Sequence, residues 1–235
     1  MNDRYSVFIN AGAVVMLSRS MAEQEKNDVL ESLLFAQLVA HKKYPGYAMV
    51  SKWYEAYREV LKNAWLQKTV AWGNFLPDEE CHLTTAQWLG RRLEEFADQT
   101  AADEVTCLLD RIAKLPGTLP AMKQLREHVV LPQANDESAA RICLQVILAQ
   151  PGTLLSSVYL NYETSQADIS NPFGQCLSVA NVVGNVQSKC FQACLSKELY
   201  EQLRGAIVQK LGDKPAKHIF DISSAVELDP AEVAP

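Results

Sequence analysis

The amino-acid sequence predicts an α+β fold, in which a helical N-terminal half packs on a mainly antiparallel sheet of four strands. Two observations support this fold class. From Glu23 onward, apolar residues recur at three- and four-residue steps, which is the period of one helix face. Between Arg141 and Leu195, apolar residues instead alternate with polar ones, which is the period of a strand. A helical pattern follows, so the predicted sheet is succeeded by a C-terminal helix.

The chain is predicted to divide into three regions. Residues 1–132 form the helical region, and residues 133–223 form the antiparallel sheet with the C-terminal helix, both sharing one core. Polar residues between Gln133 and Ser138 mark the boundary between these two regions. Residues 224–235 are acidic and contain proline and alanine, so they are expected to form a mobile tail.

The N-terminal run from Tyr5 to Leu17 is apolar on every face. It is therefore compatible either with a short buried strand at Tyr5–Asn10 or with a buried helix. The helical spacing that begins at Glu23 is expected to end at Tyr44-Pro45-Gly46, because proline and glycine interrupt helices.

A second helix is predicted over Met49–Trp72, where aromatic and aliphatic residues recur at helical steps. It would carry three of the four tryptophans. Its aromatic stripe is interpreted as core packing, because aromatic side chains bury large areas, and the alternative is a wall for a cofactor or ligand. Further on, Thr84 with Gln87 forms a capping-box signature, and two more helices are expected before Pro116 and Pro132.

Four strands are predicted beyond the boundary. The first covers Arg141–Ala149, where the Ile and Val content favours a strand, although a buried helix also fits the spacing. The second covers Ser156–Glu163. The third, Gln175–Val183, and the fourth, Val186–Leu195, are separated by Gly184-Asn185, a dipeptide typical of two-residue hairpin turns.

The last predicted helix has Ser196 as its N-cap and ends at Gly212. A short strand is expected at His218–Ile222. Two segments, WYEAYREVL at Trp53–Leu61 and LYEQLRGAIVQKLGD at Leu199–Asp213, resemble parts of a set of uncharacterised bacterial and fungal proteins of similar length. The resemblance covers two predicted helices and implies a shared fold, and no function can be transferred from it.

Composition excludes several classes of function. Hydrophobic residues make up 48% of the chain and charged residues 21%, which is typical of a protein with a buried core. The net charge of −6, with lysine and arginine scattered along the chain, predicts no nucleic-acid partner. The six cysteines are expected to be free and mostly buried. Without a signal-peptide pattern the protein is expected to be cytoplasmic as synthesised, with release by lysis or a dedicated secretion route.

Motifs for catalysis and cofactor binding are missing from the sequence. It contains no glycine-rich phosphate loop, no nucleophile elbow and no His-Glu-x-x-His helix. Cys81-His82 supplies two adjacent metal-ligand types, which are too few for a structural zinc site. A thiol nucleophile at Cys190 or Cys194 would need a base, for which the candidates are the remote residues His82, His128 and His218.

The paired carboxylates at Asp78-Glu79-Glu80 and Glu94-Glu95 are interpreted as solvated charge. We therefore assign no catalytic residue, no metal ligand and no cofactor, and the sequence favours a non-catalytic protein over an enzyme.

Three classes of function remain. The first is a non-catalytic interaction or self-assembling protein, with a protein partner or a second copy. The second is a membrane-acting, pore-forming protein in which hairpins at about residues 154–163 and 175–195 insert, because these stretches carry little charge and have the length of bilayer-crossing strands. The third is a hydrolase that depends on Cys and His.

Overall fold

The computed structural model describes residues 4–45, 49–95, 99–133 and 136–227. Within these ranges, eight strands form one mixed sheet that has helices on both faces. The elements in chain order are β1 (Tyr5–Asn10), β2 (Ala13–Ser18), α1 (Glu23–Lys43), α2 (Val50–Leu61), β3 (Trp65–Phe75), α3 (Thr85–Glu94), α4 (Gln99–Lys114), α5 (Pro120–Val129), β4 (Val130–Gln133), β5 (Asp136–Gln150), β6 (Leu154–Thr164), β7 (Val182–Leu195), α6 (Lys197–Leu211), α7 (Lys214–His218), β8 (Ile219–Asp221) and α8 (Ser223–Glu227).

The strand order across the sheet is β3, β7, β6, β5, β2, β1, β8, and β4 also pairs with β5. The pair formed by β2 and β5 is parallel, with Ala13 opposite Gln145, and the other named strands pair antiparallel. Because β2 lies against the second half of β5, the first half of that long strand is free to pair with β4 through Val130 and Ile142. Among the described strands, β3 and β8 therefore lie at the two ends of this order, and β4 is a short side branch that pairs with β5.

Two apolar cores lie on opposite faces of the sheet. One core contains α3, α4, α5 and α8, and includes Val105, Leu109 and Val226. The other contains α1, α2 and α6, and includes Leu33 and Tyr57. Side chains alternate between the two faces along a strand, so the central strands β5 and β6 are apolar on both sides. Their low charge follows from this double burial.

The α+β class is confirmed, but the predicted sheet of four antiparallel strands is too small. The predicted helical half contributes four of the eight strands, β1 to β4, and one strand pair is parallel. The ambiguous run at Tyr5–Leu17 forms the hairpin of β1 and β2, with Ala11 at a φ of 51° in its turn. This run was ambiguous because both strands lie between the two helix layers and need apolar residues on both faces.

The helix predicted over Met49–Trp72 is wrong in its second half. The helix α2 ends at Leu61, and the residues from Trp65 onward form β3, which pairs with β7 along its whole length. Residues such as Thr69 and Val70 favour strands, and here the pairing with β7 decides the conformation. The buried part of the stripe, including Trp53 and Tyr57, confirms the interpretation as core packing.

The predicted hairpin at Gly184-Asn185 is also wrong. The chain runs straight through this dipeptide as part of β7, and Gly184 has a φ of 74°. The register with β6 shifts at this point, where Val183 faces Glu163 and Gln187 faces Asn161. The positive φ of Gly184 therefore belongs to a bulge within one strand. Most of the predicted third strand, Gln175–Val183, is a loop, because β7 begins at Val182.

The strands predicted at Arg141–Ala149 and Ser156–Glu163 are confirmed as parts of β5 and β6. The predicted division between residues 132 and 133 stays a prediction. Residues 134 and 135, which belong to the polar boundary at Gln133–Ser138, lie outside the described residues. Of the predicted tail, residues 224–227 belong to α8, and residues 228–235 lie outside the described residues.

Candidate functional site

The edge strand β3 is the most exposed apolar element of the described sheet. It pairs with β7 on one side, and on its other side it has no strand neighbour among the described residues. The side chains of Leu66 and Trp72 are 55% and 59% exposed, and that of Val70 is 40% exposed. Among its eleven residues, only Lys68 carries a charge. Such an edge offers unpaired backbone N–H and C=O groups beside apolar side chains.

The exposed apolar side chains of β3 lie on both faces of the sheet. Val70 pairs with Phe191, which belongs to the core that contains α2, whereas Leu66 pairs with Cys194. Phe191 and Cys194 are an odd number of positions apart in β7, so Val70 and Leu66 face opposite sides. The register shifts between Gln67 and Thr69, which marks a bulge at Lys68.

A buried lysine, Lys189, lies in the neighbouring strand β7, where it pairs with Trp72 of β3. Its Nζ atom lies 4.8 Å from the ring centroid of Tyr54 and 5.0 Å from that of Trp72, so one cation contacts two aromatic rings. Burial lowers the pKa of the Lys189 ammonium, and the Glu55 carboxylate partly opposes this shift. The contact joins Trp72 of the edge strand to helix α2.

The two stretches proposed to insert into membranes differ in exposure. In β6, the side chains from Leu155 to Tyr162 are buried, so the low charge of residues 154–163 reflects burial on both faces of the sheet. In the stretch 175–195, by contrast, Val179 and Val183 are 54% and 52% exposed. No helix that the structure describes is long and apolar enough to cross a bilayer.

The cysteines singled out in the sequence do not form a nucleophilic site. Burial raises the pKa of the Cys190 thiol, although Arg92 beside it opposes this shift. A thiolate nucleophile requires the opposite shift. The thiol of Cys194 donates to the backbone carbonyl of Gly152 at 3.3 Å. All six cysteines are free, and three of them, Cys81, Cys143 and Cys190, are buried.

Among the metal-ligand and carboxylate candidates from the sequence, all except Cys81 lie at the surface. Cys81 is buried while the adjacent His82 is exposed, and no group of three or more metal-ligand residues forms in the part of the chain that the structure describes. The carboxylates of Asp78, Glu79 and Glu80 are exposed. So are those of Glu94 and Glu95, which accept from Thr106 and Arg92, respectively.

Two histidines that lie far apart in the sequence meet in the structure, which sequence reasoning missed. His128 of α5 and His218 of α7 have ring centroids 5.4 Å apart, and the Gln124 side chain lies between them. Gln124 and His128 are four positions apart on one helix, a spacing that brings side chains together. No comparable signal links them to His218, because that contact depends on the tertiary fold.

Two concavities lie away from these residues. A cavity of about 130 Å³ between α1, α2 and α6 has apolar walls that include Phe35, Leu203 and Ile207. An open depression of about 540 Å³ lies where β5, β6 and β7 meet the start of α2, and it contains the ion pair of Arg141 and Glu163. The described lining residues of both include no histidine and no cysteine, so neither provides the pair that a Cys/His hydrolase needs.

No protein-family model and no curated protein matches the chain. Among solved structures, the chain is similar to a delta-endotoxin, with 8% identity and a TM-score of 0.48 over 80% of this chain and 81% of that one. It is also similar to the activated Cyt2Ba monomer from Bacillus thuringiensis subsp. israelensis, with 7% identity and a TM-score of 0.48 over 80% and 98% of the two chains.

A third similar structure is the Evf virulence factor, with 10% identity and a TM-score of 0.34 over 89% of this chain and 82% of that one. TM-scores below 0.5 carry no argument about activity. The candidate functional site of this chain is the exposed edge strand β3.

Proposed function

We propose that this chain is a non-catalytic protein that assembles with a second copy of itself through the edge strand β3. The observation that carries the proposal is an open sheet edge of eleven residues with exposed Leu66, Val70 and Trp72. Natural proteins normally protect such edges with charge, proline or a covering segment, because an open edge pairs with other strands. An edge left open and apolar is a surface for strand addition.

Charge favours a second copy as the occupant of this edge. The chain has a net charge of −6, so two copies repel each other over much of their surfaces. From Asn63 to Leu76 the sequence contains no acidic residue, and its one charge is Lys68. Two copies therefore approach each other at β3 against little repulsion.

An antiparallel pair of β3 strands satisfies two-fold symmetry, because the same strand then supplies both sides of the interface. If the two-fold axis passes near Val70, Lys68 of one copy lies opposite Trp72 of the other. A cation near an aromatic face is a favourable contact. The two sheets would join into one continuous sheet across the axis.

The test is the molar mass in solution, measured by size-exclusion chromatography with light scattering over a range of concentrations. We expect the wild type to reach the mass of a dimer and Val70→Lys to remain a monomer. The matched control is Val208→Lys on α6, since Val208 is 45% exposed and Val70 is 40% exposed. A wild type that stays monomeric at high concentration would sink the proposal, and so would equal masses for Val70→Lys and the wild type.

A second candidate function is a membrane-acting protein in which residues 154–163 and 175–195 insert. The observation in its favour is the exposure of Val179 and Val183 within the stretch 175–195. Insertion of β6 would require this strand to leave both helix layers, since its side chains are buried on both faces. Release of dye from liposomes tests this candidate, and an absence of leakage over a range of lipids and pH would exclude it.

A further inference from the structure

A polar cluster joins the C-terminal segment of the described chain to helix α5. The Nε2 atom of Gln124 lies 2.9 Å from Nε2 of His128 and 2.8 Å from Nδ1 of His218. An amide NH₂ group has two hydrogens, so it can donate one to each ring nitrogen. Both ring nitrogens then accept, and each ring is neutral with its proton on the other nitrogen.

The backbone of His218 helps to hold the edge strand β8 against β1. It is the last residue of α7, and β8 begins at the next residue. Its backbone carbonyl accepts from the N–H of Ala11 at 2.8 Å, and the N–H of Ile222 donates to the carbonyl of Val7 at 2.9 Å. The short strand β8 therefore covers β1 only while the chain from His218 to Ile222 stays in place.

The charged groups that act on this cluster are basic. His41 of α1 acts on His128, while Lys214 and Lys217 of α7 act on His218. Burial is the largest cause that lowers the pKa of His128, to about 4, and His218 contributes to the same shift. The pKa of His218 is also lowered, first by burial and then by the two lysines.

Carboxylates near the cluster have partners of their own, and Asp213, directly before α7, forms an ion pair with Lys217 at 2.5 Å. The strands β1 and β4, which pack on α5, contain no charged residue. In β5, Arg141 pairs with Glu163. In β8, the Asp221 carboxylate accepts from the backbone and side chain of Ser223.

Rotation of the Gln124 amide would not relieve a doubly protonated cluster. A turned amide offers its oxygen to a protonated ring, so it could accommodate one imidazolium. Two imidazolium rings with centroids 5.4 Å apart would share this one neutral acceptor, and they would repel each other beside Lys214 and Lys217.

We propose that Gln124, His128 and His218 form an acid-operated latch, which holds residues 214–227 on the sheet at neutral pH. Protonation of the two histidines breaks the shared hydrogen bonds and releases β8 with the helices on either side. Release uncovers β1, a six-residue strand with buried apolar side chains such as Val7 and Ile9. The latch acts at the edge opposite β3 and does not depend on assembly there.

Hydrogen–deuterium exchange of the full chain tests the latch. We expect the amides of residues 219–227 to exchange about tenfold faster at pH 4.5 than at pH 7, after correction for the intrinsic rates. In the double variant His128→Gln, His218→Asn this pH effect is expected to disappear. In these replacements the Gln oxygen stands near Nε2 of His128 and the Asn oxygen near Nδ1 of His218, so both acceptors for Gln124 remain without a titrating ring.

Equal acid sensitivity of the wild type and the double variant would overturn the proposal, as would full protection of residues 219–227 in the wild type at pH 4.5. If the double variant does not fold, an NMR titration of the wild type provides the test. The amide signals of β8 should then shift with the same midpoint as the His128 ring. A midpoint that matches carboxylate titration instead would contradict the latch.

Discussion

The two edges of the sheet are built in opposite ways. The edge at β3 is an eleven-residue strand with exposed apolar side chains and one charge, whereas the edge at β8 has three residues, of which Asp221 is charged. Helix α8 packs beside the short edge and buries Val226 in the core. Shortness, charge and a covering helix are the usual protections of a sheet edge. The protein thus protects one edge and leaves the other open, which is the pattern expected if only one edge has a partner.

The largest expected loss of stability concerns the centre of the sheet, which helices cover on both faces. Ile147 of β5 is fully buried, with Val15 on one side and Ser157 on the other. Ile147→Ala removes buried methyl groups and leaves a cavity, so we expect a loss of about 2–5 kcal/mol in the free energy of unfolding. Urea denaturation measures it. A loss below about 1 kcal/mol would contradict the close packing of Ile147 between the two helix layers.

Acid should weaken the protected edge. The folded pKa of His128 is about 4, below its ordinary value of 6.5, so the folded state binds fewer protons than the unfolded chain in this range. The stability that neutral His128 contributes is present above pH 6.5 and is lost as the pH falls towards 4. Between pH 7 and pH 4.5 we expect the wild type to lose about 2–3 kcal/mol more than His128→Gln. Equal losses in urea denaturation would show that His128 contributes nothing to the pH dependence.

Truncation of one buried side chain in the covering helix α8 should have a smaller effect on stability. Val226→Ala removes two methyl groups from a side chain that is 1% exposed. About 1–2 kcal/mol of stability should be lost, because each buried carbon contributes about 0.8 kcal/mol. The same variant should speed hydrogen exchange in β8 at neutral pH. If exchange in β8 is unchanged, α8 does not protect this edge.

The smallest effect is expected at the open edge. Val70→Lys places a charge on a side chain that is already 40% exposed, so the free energy of unfolding should change by no more than about 0.5 kcal/mol. Thermal and urea denaturation of the monomer check this value. A loss of several kcal/mol would mean that β3 is part of the core, and the assembly test at Val70 would then have to use another position.

Elements with a strong compositional or capping signal were predictable from the sequence. The Ile and Val content favours a strand at Arg141–Ala149, which lies within β5, and the predicted caps occur where expected. The Thr84 side chain accepts from the N–H of Gln87, and the Ser196 side chain accepts from that of Leu199. Gly212 ends α6 with a φ of 55°. In each case neighbouring residues determine the local conformation.

The open edge could not be predicted by the same reasoning. In β3, apolar side chains are exposed on both faces, so Leu66, Val70 and Trp72 show no alternation between a buried and a solvated side. Their spacing happens to continue the helical steps of α2, and only pairing with β7 distinguishes the two structures. The meeting of His128 with His218 depends in the same way on long-range contacts.

The parallel pairing of β2 with β5 has a consequence for how the chain reaches this structure during synthesis. Val14 lies opposite Val146, so the first hairpin cannot join the sheet until most of the chain has left the ribosome. Closure at Phe8 and Asp221 comes still later. Contacts between such distant positions are slow to form, because the loop-closure entropy must be overcome first. We therefore expect slow folding and an interval in which apolar strands need protection, for example by a chaperone.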